Sequence, residues 1–513
     1  MKYRVYASEV FMSIAFRSVA VVTLALTAAL PGFAQSKSKK DIPPPIEMTG
    51  DTRRTDVHKL ANGDVIVQYN NPDRQDKPTD KPVPSRIRIY VPGNHKQVKA
   101  ILFDLGYTYT SDNTQLQAVA REEGWAVIGC LLRYKYGTEL LDMAFKDAAA
   151  KVNHPELVNA PIFLAGFSRN GSRAWDFAEE ERNQTRTVGL ILGGNPGIPS
   201  GMLSREGKQN EPRVTLAQKT PALTVVGSSD PFVDYDKGEA RFWHNATYPK
   251  IRSVPDVTWG MMIGWGYGHG WEGSWTPFTV YMQDVLAMRL EGAAAADGTT
   301  KLKPVKFEDG WFAEYGWTKD WPEIAPVSKF TGDKTKAVWL PSENVAHVWR
   351  AYQVRQPKVT LTVANSMLTA EAPADATSVE FFDRAKSLGS ASSTPFTVKT
   401  NLKGVQTIYA VATTAKGKTP SRPVTVVNGQ PLDWREGSKA EKAAESPANV
   451  AIVSEAGRAT ARAVVAGQPA KPSEVAALKA ELEPLTKSPH VEQREAAGKL
   501  IRMIDAPAPA PAP

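Results

Sequence analysis

The chain has 513 residues and a formal net charge of +8, with seven histidines and a single cysteine. This length exceeds what one hydrophobic core supports, so about three domains are expected. Its lysines and arginines are scattered and form no stripe, which argues against nucleic acid as the main partner. The small basic excess favours solubility, with attraction of anionic substrates as the alternative.

The first 34 residues have the layout of a secretory signal peptide. Basic residues precede an apolar run at 19–30, and small residues at 32–34 offer a cleavage site before Gln35. Met12 is an alternative start of translation, and a retained anchor is the alternative to cleavage. No later apolar stretch approaches the length of a membrane span, and the single cysteine, Cys130, excludes an internal disulfide. These features predict a secreted or periplasmic bacterial protein whose mature chain has no membrane span.

Residues 56–290 alternate between apolar strands and helical stretches, after a predicted flexible leader at 35–55. Alternating residues at 64–69 and 86–91 predict half-exposed antiparallel strands at a sheet edge. The predicted buried strands lie at 99–104, 125–130, 161–167, 188–192, 222–226 and 257–263. The predicted helices lie at 114–123, 138–152, 172–180 and 278–290, with a loop from 193 to 215. This rhythm predicts an α/β fold with a doubly wound, mostly parallel sheet, whose ligands bind at the carboxyl ends of the strands.

A Trp-rich extension and a small β-sandwich follow. The extension at 291–356 ends in a predicted helix that Ser342 could cap. Short alternating strands at 357–428 predict a β-sandwich. The runs Val-Glu-Phe-Phe-Asp at 379–383 and Ile-Tyr-Ala-Val-Ala at 408–412 resemble bacterial immunoglobulin-like modules.

The last part of the chain is rich in Ala, Lys and Glu. Residues 429–505 predict a helical segment, with helices near 473–482 and 491–504. The Ala-Pro repeat at 506–513 predicts a stiff, disordered tail. We expect everything beyond 357 to be accessory, so that a chain without residues 358–513 keeps its chemistry.

The candidate chemistry starts at Gly-Phe-Ser-Arg-Asn-Gly, residues 166–171, where a predicted strand runs into a helix. Such a turn places the hydroxyl of Ser168 on a strained corner at the sheet edge. Gly166 and Gly171 remove side chains that would collide there. Asn170 stands where the usual Gly-x-Ser-x-Gly pattern has glycine, and asparagine tolerates unusual backbone angles. Ser168 is therefore the candidate nucleophile, and an ordinary turn with a capping serine is the alternative.

A serine nucleophile needs a base, and the base needs a carboxylate that holds its tautomer. Asp230 directly follows the predicted strand at 222–226 and is the candidate acid; Asp234 and Asp236 are competitors further along the loop. His269 stands between glycines after the last predicted strand and is the candidate base. The other histidines precede the serine or lie away from that edge of the sheet: His58, His95, His154, His244, His347 and His490. Parallel-sheet hydrolases carry these groups in the same order, serine, acid, histidine.

Two backbone N–H groups are candidates for an oxyanion hole. The N–H of Arg169 follows the nucleophile, and the turn at Gly106 and Tyr107 offers the second donor. The side chain of Arg169 adds positive charge there or binds an acidic substrate, with an ion pair on the helix flank as the alternative.

Ten of the thirteen tryptophans lie between positions 243 and 349. Trp265, Trp271 and Trp275 flank His269 and are candidate walls of a substrate cleft, because flat aromatic faces suit sugars and aryl groups. Packing of the extension on the sheet is the favoured interpretation for Trp311, Trp317, Trp321, Trp339 and Trp349. The sequence has no metal-ligand cluster and no phosphate-loop spacing, so neither a metal nor a cofactor is predicted.

The ordered set of Ser168, Asp230 and His269 resembles the α/β-hydrolase superfamily over residues 55–290. The secreted dienelactone-hydrolase and acetyl-xylan-esterase-like enzymes are the most similar branch. The turn at 166–171 is also similar to the Gly-Cys-Ser-Arg-x-Gly-Lys turn of glucuronoyl esterases, in which Arg169 would help the oxyanion hole. Phe167 and Ser172 replace the Cys and Lys of that pattern, which weakens the case for a uronate ester.

The resemblance implies a secreted serine hydrolase that cleaves carboxylic esters through an acyl-enzyme. Acyl or aryl esters, as small molecules or on a polysaccharide, are the candidate substrates, and no oligomeric state is predicted. One alternative is a serine peptidase of the same fold, although the sequence has no propeller or large cap to restrict access. The other is a non-catalytic binding or adhesion protein whose sandwich makes the contacts.

Overall fold

The structure is a computed structural model that describes residues 54–74, 83–131, 137–194, 211–230, 248–271, 273–292, 294–314, 319, 321–444, 446, 447, 451, 454–466, 468–488 and 491–506. The predicted signal peptide, residues 35–53 of the predicted leader and residues 507–513 of the predicted tail lie outside this part. So do Asp234, Asp236, His244 and His490.

A nine-stranded sheet forms the centre of the fold. Its strands are β1 (Arg54–Lys59), β2 (Val65–Arg74), β3 (Val83–Val91), β4 (Ala100–Leu105), β5 (Trp125–Leu131), β6 (Ile162–Phe167), β7 (Thr187–Gly193), β8 (Ala222–Gly227) and β9 (Trp259–Gly264). Their order in space is β1-β2-β3-β5-β4-β6-β7-β8-β9. In this spatial order, the pairs β1–β2, β2–β3 and β3–β5 are antiparallel. The pairs β5–β4, β4–β6, β6–β7, β7–β8 and β8–β9 are parallel.

The parallel half of the sheet is covered on both faces. Every residue of β4, β6, β7, β8 and β9 is buried, which explains why these strands read as continuous apolar runs. This sheet fits the predicted α/β-hydrolase architecture. The predicted edge strands are present as β2 and β3, but β1 extends the edge by one strand that the sequence did not predict.

Helices connect the strands of this sheet. They are α1 (Thr114–Glu123), α2 (Gly137–Val152), α3 (Arg169–Glu179), α4 (Glu181–Gln184), α5 (Glu211–Lys219), α6 (Tyr248–Arg252) and α7 (Trp275–Arg289). Helix α1 coincides with its prediction, because Asn113 caps its first turn and Gly124 ends it in a left-handed conformation. The predicted loop from 193 to 215 is wrong at its end, since α5 begins at Glu211.

The extension packs directly on the sheet. It contains β10 (Leu290–Glu291), β11 (Lys301–Leu302), β12 (Trp311–Ala313), β13 (Ile324–Pro326), β14 (Val338–Leu340) and α8 (Glu343–Tyr352). Ser342 caps α8 as predicted, accepting a hydrogen bond from the N–H of Val345 at 3.1 Å. Trp339 and Trp349 are buried, and Nε1 of Trp349 donates to the carbonyl of Met261 in β9. Trp311 and Trp321 are half-buried, and Trp317 lies outside the described residues.

Two antiparallel sheets follow and share one hydrophobic core. The first holds β15 (Thr360–Ala364), β16 (Met367–Glu371) and β19 (Phe396–Lys399). The second holds β17 (Ser378–Asp383), β18 (Lys386–Ala391), β20 (Val405–Thr414), β21 (Gly417–Pro420), β22 (Val424–Val427) and β23 (Gln430–Pro431). The sequence pattern predicts strands at 359–363, 378–383, 396–400, 407–412 and 424–427, and β15, β17, β19, β20 and β22 lie at these positions. The immunoglobulin-like assignment stays a prediction.

Helices complete the described chain: α9 (Trp434–Ala444), α10 (Glu455–Val465), α11 (Pro472–Leu485) and α12 (Val491–Asp505). All four lie within the predicted helical segment at 429–505, and the last two correspond to the helices predicted near 473–482 and 491–504. Helices α10, α11 and α12 pack together around Leu478, Leu482 and Leu500. No helix in the described part of the chain combines the length and apolar character needed to cross a bilayer.

The main core reaches beyond the predicted catalytic region. Val405 of β20 and Trp434 of α9 belong to the same hydrophobic cluster as the strands of the nine-stranded sheet. The two side chains are 6% and 9% exposed. The region that the sequence marks as accessory therefore supplies part of the core under the large sheet.

Candidate active site

Ser168 lies on a sharp turn between β6 and α3. Its backbone has φ 56° and ψ −125°, a left-handed combination that is strained for any residue except glycine. Hydrogen bonds hold the turn in place, because the N–H of Ser168 donates to Gly193 at 2.8 Å and its carbonyl accepts from Gly171 at 3.0 Å. A side chain at Gly166 would overlap the carbonyl of Asn170, so this position needs glycine.

Asp230 and His269 form a hydrogen-bonded pair. Nδ1 of His269 lies 2.7 Å from Oδ2 of Asp230. The Asp230 side chain is fully buried, and the His269 side chain is 23% exposed. Because a carboxylate only accepts, Nδ1 carries the proton in the neutral ring, and Nε2 is then the basic nitrogen.

The imidazole of His269 lies beside the turn that carries Ser168. The rings of His269 and Phe167 meet edge to face, with centroids 4.8 Å apart, and Phe167 directly precedes the serine. A methyl group at Gly194 would lie 3.0 Å from Cε1 of His269. The structure thus brings the predicted serine, acid and histidine regions together at the carboxyl ends of β6, β8 and β9.

Glycines at the strand ends let the loops of the site approach closely. A side chain at Gly227, the last residue of β8, would overlap the carbonyl of Gly268 next to His269. A side chain at Gly129 in β5 would overlap the carbonyl of Thr108, in the loop that follows β4. Each glycine therefore sets how near a functional loop sits to the sheet.

Tyr107 and Arg169 lie at the two predicted oxyanion positions. Arg169 is the first residue of α3, where backbone N–H groups have no partner within the helix. Tyr107 follows Gly106, whose φ of +142° only glycine readily adopts. A side chain at Gly106 would overlap the amide of Asn170, so the two loops touch. The side chains of Tyr107 and Arg169 are exposed at the mouth of the site.

Two of the three tryptophans that were predicted to wall a substrate cleft, Trp265 and Trp275, have little exposed surface. Trp265 is 6% exposed and donates from Nε1 to the carbonyl of Gln353, beneath the extension. Trp275 is 3% exposed and packs on Phe278. Trp271 alone of the three is half-buried, with its ring against Phe167.

Asp104 is a functional candidate that the sequence pattern marks only as the end of an apolar strand. Its carboxyl group is fully buried, and Oδ2 accepts hydrogen bonds from Oγ1 of Thr110 at 2.8 Å and Nε1 of Trp271 at 3.2 Å. Burial raises the pKa of Asp104 to about 8. Its signal in the sequence is an acidic residue inside an otherwise apolar strand.

Among the described residues, no group of three or more His, Cys, Asp or Glu side chains is arranged to hold a metal ion. Cys130 is buried in β5, and burial raises the pKa of its thiol well above the usual value.

No family model matches the chain, and no curated protein matches it. Solved structures with similarity include a cold-adapted esterase from an Arctic intertidal metagenomic library, with 12% identity, a TM-score of 0.27 and coverage of 45% of this chain and 97% of that one. Est1E from Butyrivibrio proteoclasticus has 15% identity, a TM-score of 0.27 and coverage of 42% and 99%. Methylesterase BT1017 has 14% identity, a TM-score of 0.29 and coverage of 45% and 56%. Similarity at this level decides neither the family nor the activity of this chain.

Proposed function

We propose that this protein is a serine hydrolase that cleaves carboxylic esters. The observation that carries the proposal is the 2.7 Å hydrogen bond between Asp230 and His269, beside a serine on a strained strand-to-helix turn. A buried carboxylate that orients an imidazole next to a serine is the arrangement that activates a hydroxyl for acyl transfer.

Acylation would begin with attack of Oγ of Ser168 on the ester carbonyl carbon, while Nε2 of His269 takes the hydroxyl proton. Asp230 stabilises the imidazolium that forms. The N–H groups of Arg169 and Tyr107 would bind the oxyanion, and one such donor is worth about 3–4 kcal/mol in the transition state. The N-terminus of α3 adds its partial positive charge to the same space.

Collapse of the tetrahedral intermediate breaks the ester C–O bond, and His269 returns its proton to the departing alcohol. A water molecule then attacks the acyl-enzyme, with His269 again as base. The C–O bond to Ser168 breaks, the proton returns to Oγ, and the carboxylic acid leaves. The sum of both steps is ester plus water giving acid plus alcohol.

The proposed substrate class is a carboxylic ester, with neither the acyl group nor the alcohol specified. Burial of Trp265 and Trp275 leaves Trp271 as the only one of these three aromatic groups with a partly exposed face, so the support for a polysaccharide ester is weaker than the sequence suggested. The signal-like segment at 1–34 supports secretion or a periplasmic location as a further part of the proposal.

Short-chain nitrophenyl esters and peptide anilides test the proposal together. We expect hydrolysis of the esters by the full chain and none by Ser168→Ala, with slow or absent hydrolysis of the anilides. Faster cleavage of the anilides would favour a peptidase. Failure to cleave either class by well-folded protein would favour the non-catalytic alternative.

A further inference from the structure

Helix α9 packs against the loop that carries one side of the proposed oxyanion hole. The loop comprises residues 106–113: the Gly106 turn, Tyr107, a short 3₁₀ helix (Thr108–Asp112) and Asn113. Nδ2 of Asn113 donates to Oε1 of Glu441 in α9 at 2.6 Å. The two residues are 328 positions apart in sequence, so this bond joins the start of the proposed site to the far part of the chain.

Gly437 brings α9 close to the same loop. A side chain at Gly437 would overlap Oδ1 of Asn113, so the helix backbone itself lies against the asparagine. Oδ1 of Asn113 also accepts hydrogen bonds from the N–H groups of Gln115 and Leu116, and so it caps α1. One side chain therefore fixes the end of the 106–113 loop, the start of α1 and the position of α9.

The large sheet also contacts the 106–113 loop through side chains. Arg88 of β3 binds Asp112 through two hydrogen bonds, at 2.8 and 2.5 Å. Asp104 of β4 accepts from Thr110. These contacts fix the sheet-facing side of the loop, and Glu441 supplies a contact from α9.

Helix α9 is anchored in the main core through its first residue, Trp434. Nε1 of Trp434 donates to Oγ1 of Thr276 at 2.8 Å, and Oγ1 of Thr425 lies 3.0 Å from the same atom. Thr276 belongs to α7, which packs against the large sheet. Helix α9 thus starts from a fixed point, which a positioning role requires.

We propose that Glu441 and Gly437 are positioning residues for the esterase reaction, which act through Asn113 to hold the 106–113 loop and its Tyr107 N–H in the geometry that receives the oxyanion. This inference rests on the proposed function. It gives the region beyond residue 357, treated as accessory by the sequence, a part in the chemistry of the first 290 residues.

Variants of the full-length protein test the proposal. Glu441→Ala removes the acceptor of Asn113, and Gly437→Ala pushes the helix away from it. We expect kcat for a nitrophenyl ester to fall about tenfold or more in each, with KM changed little, since a shift of about 1 Å in a positioned group can cost up to 10²-fold. Glu441→Gln keeps an amide oxygen as acceptor and should restore kcat to near that of the unchanged protein.

Two control variants match these changes. Glu436 lies on the same helix and pairs with exposed Lys439, so Glu436→Ala should keep its kcat. Gly498 of α12 has room for a methyl group, whose nearest neighbour would be Nη1 of Arg502 at 3.5 Å. Gly498→Ala should therefore also keep its kcat, because alanine favours a helix over glycine.

Hydrogen exchange of the 106–113 loop gives a readout that does not need turnover. We expect this loop to exchange faster in Glu441→Ala and Gly437→Ala, together with the loss of kcat. We expect no change in exchange in either control. Equal kcat and equal exchange in all variants of an active enzyme would overturn the positioning role alone. An inactive unchanged protein would overturn the proposed function and this inference with it.

Discussion

The left-handed backbone of Ser168 places conformational strain at the proposed nucleophile. A φ of 56° costs a serine free energy that glycine does not pay. Its neighbours Phe167 and Arg169 belong to β6 and α3, so the backbone of Ser168 cannot relax without disturbing one of these elements. A functional serine in a conformation that its side chain disfavours is typical of a nucleophile at such a turn.

Replacing Ser168 separates this strain from the chemistry. Ser168→Gly should be more stable than Ser168→Ala by about 1 kcal/mol, because the relief of strain exceeds the added entropy of the unfolded glycine. Urea unfolding of both variants measures the difference. A more stable alanine variant would mean that the turn is not strained.

Loss of either proton-transfer partner should remove turnover without unfolding the protein. We expect Ser168→Ala and His269→Ala to lower kcat by about 10³-fold or more. Ser253→Ala, at an exposed position before β9, serves as the matched control and should keep its kcat. Thermal unfolding of all three variants should stay close to that of the unchanged protein.

Asp104 predicts a pH dependence of stability. The unfolded carboxyl ionises near its usual pKa of 3.8, whereas in the folded protein burial raises the pKa of Asp104 to about 8, with a smaller contribution from the charge of Glu441. Between these values the folded state binds the extra proton, so the free energy of unfolding falls as pH rises and levels off above pH 8.

Asp104→Asn removes this titration and keeps an oxygen for Thr110 and Trp271. The unfolding free energy of the variant, minus that of the unchanged protein, should therefore increase from pH 5 to pH 8, by at most about 1.4 kcal/mol per pH unit. Urea unfolding at each pH measures it. A difference that stays constant over this range would show that Asp104 is ionised in the folded protein.

At the scale of the elements, strand-end glycines control the approach of the loops. Gly227→Ala places a methyl group against the backbone carbonyls of Gly268 and Tyr267, which cannot rotate away as a side chain would. We expect the His269 loop to shift and kcat to fall by about 10–100-fold. At Gly268 a methyl group meets nothing within 4 Å, so Gly268→Ala should keep kcat within about threefold. Equal effects of the two changes on kcat would contradict the role of Gly227 in setting the approach of the His269 loop.

The sequence predicted the elements of the parallel sheet well, because strands buried on both faces read as unbroken apolar runs. It was less successful where strands are short and half-exposed, as in β18, whose Lys, Ser and Gly residues give no clear alternation. The proximity of Asp230 and His269 could be anticipated because each lies in the loop after a buried strand. Asp104 could not be assigned a role, since its partners Thr110 and Trp271 become neighbours only in the folded chain.

At the scale of the whole molecule, the main core extends across the predicted boundary at 357. The described residues between 54 and 506 form one compact unit, and single residues such as Val405 and Trp434 join the core of the large sheet. No periodicity in the sequence marks such long-range partners. Because of these contacts, we expect a chain without residues 358–513 to lose stability and activity.

Two truncations distinguish these views. A chain that ends at residue 447 keeps α9 and loses only the helices with their own small core, so it should stay folded and active. A chain that ends at 357 loses Trp434, and removal of a buried tryptophan side chain alone costs about 3–5 kcal/mol. It should unfold at a lower temperature and lose activity. An active, equally stable chain ending at 357 would restore the original boundary.

Covalent labelling with a fluorophosphonate, followed by intact mass and peptide mapping, tests the central claim most directly. The account predicts one phosphonyl group per chain, attached to Oγ of Ser168, and much slower labelling of His269→Ala. Absence of labelling in well-folded protein, or attachment to a different residue, would contradict it.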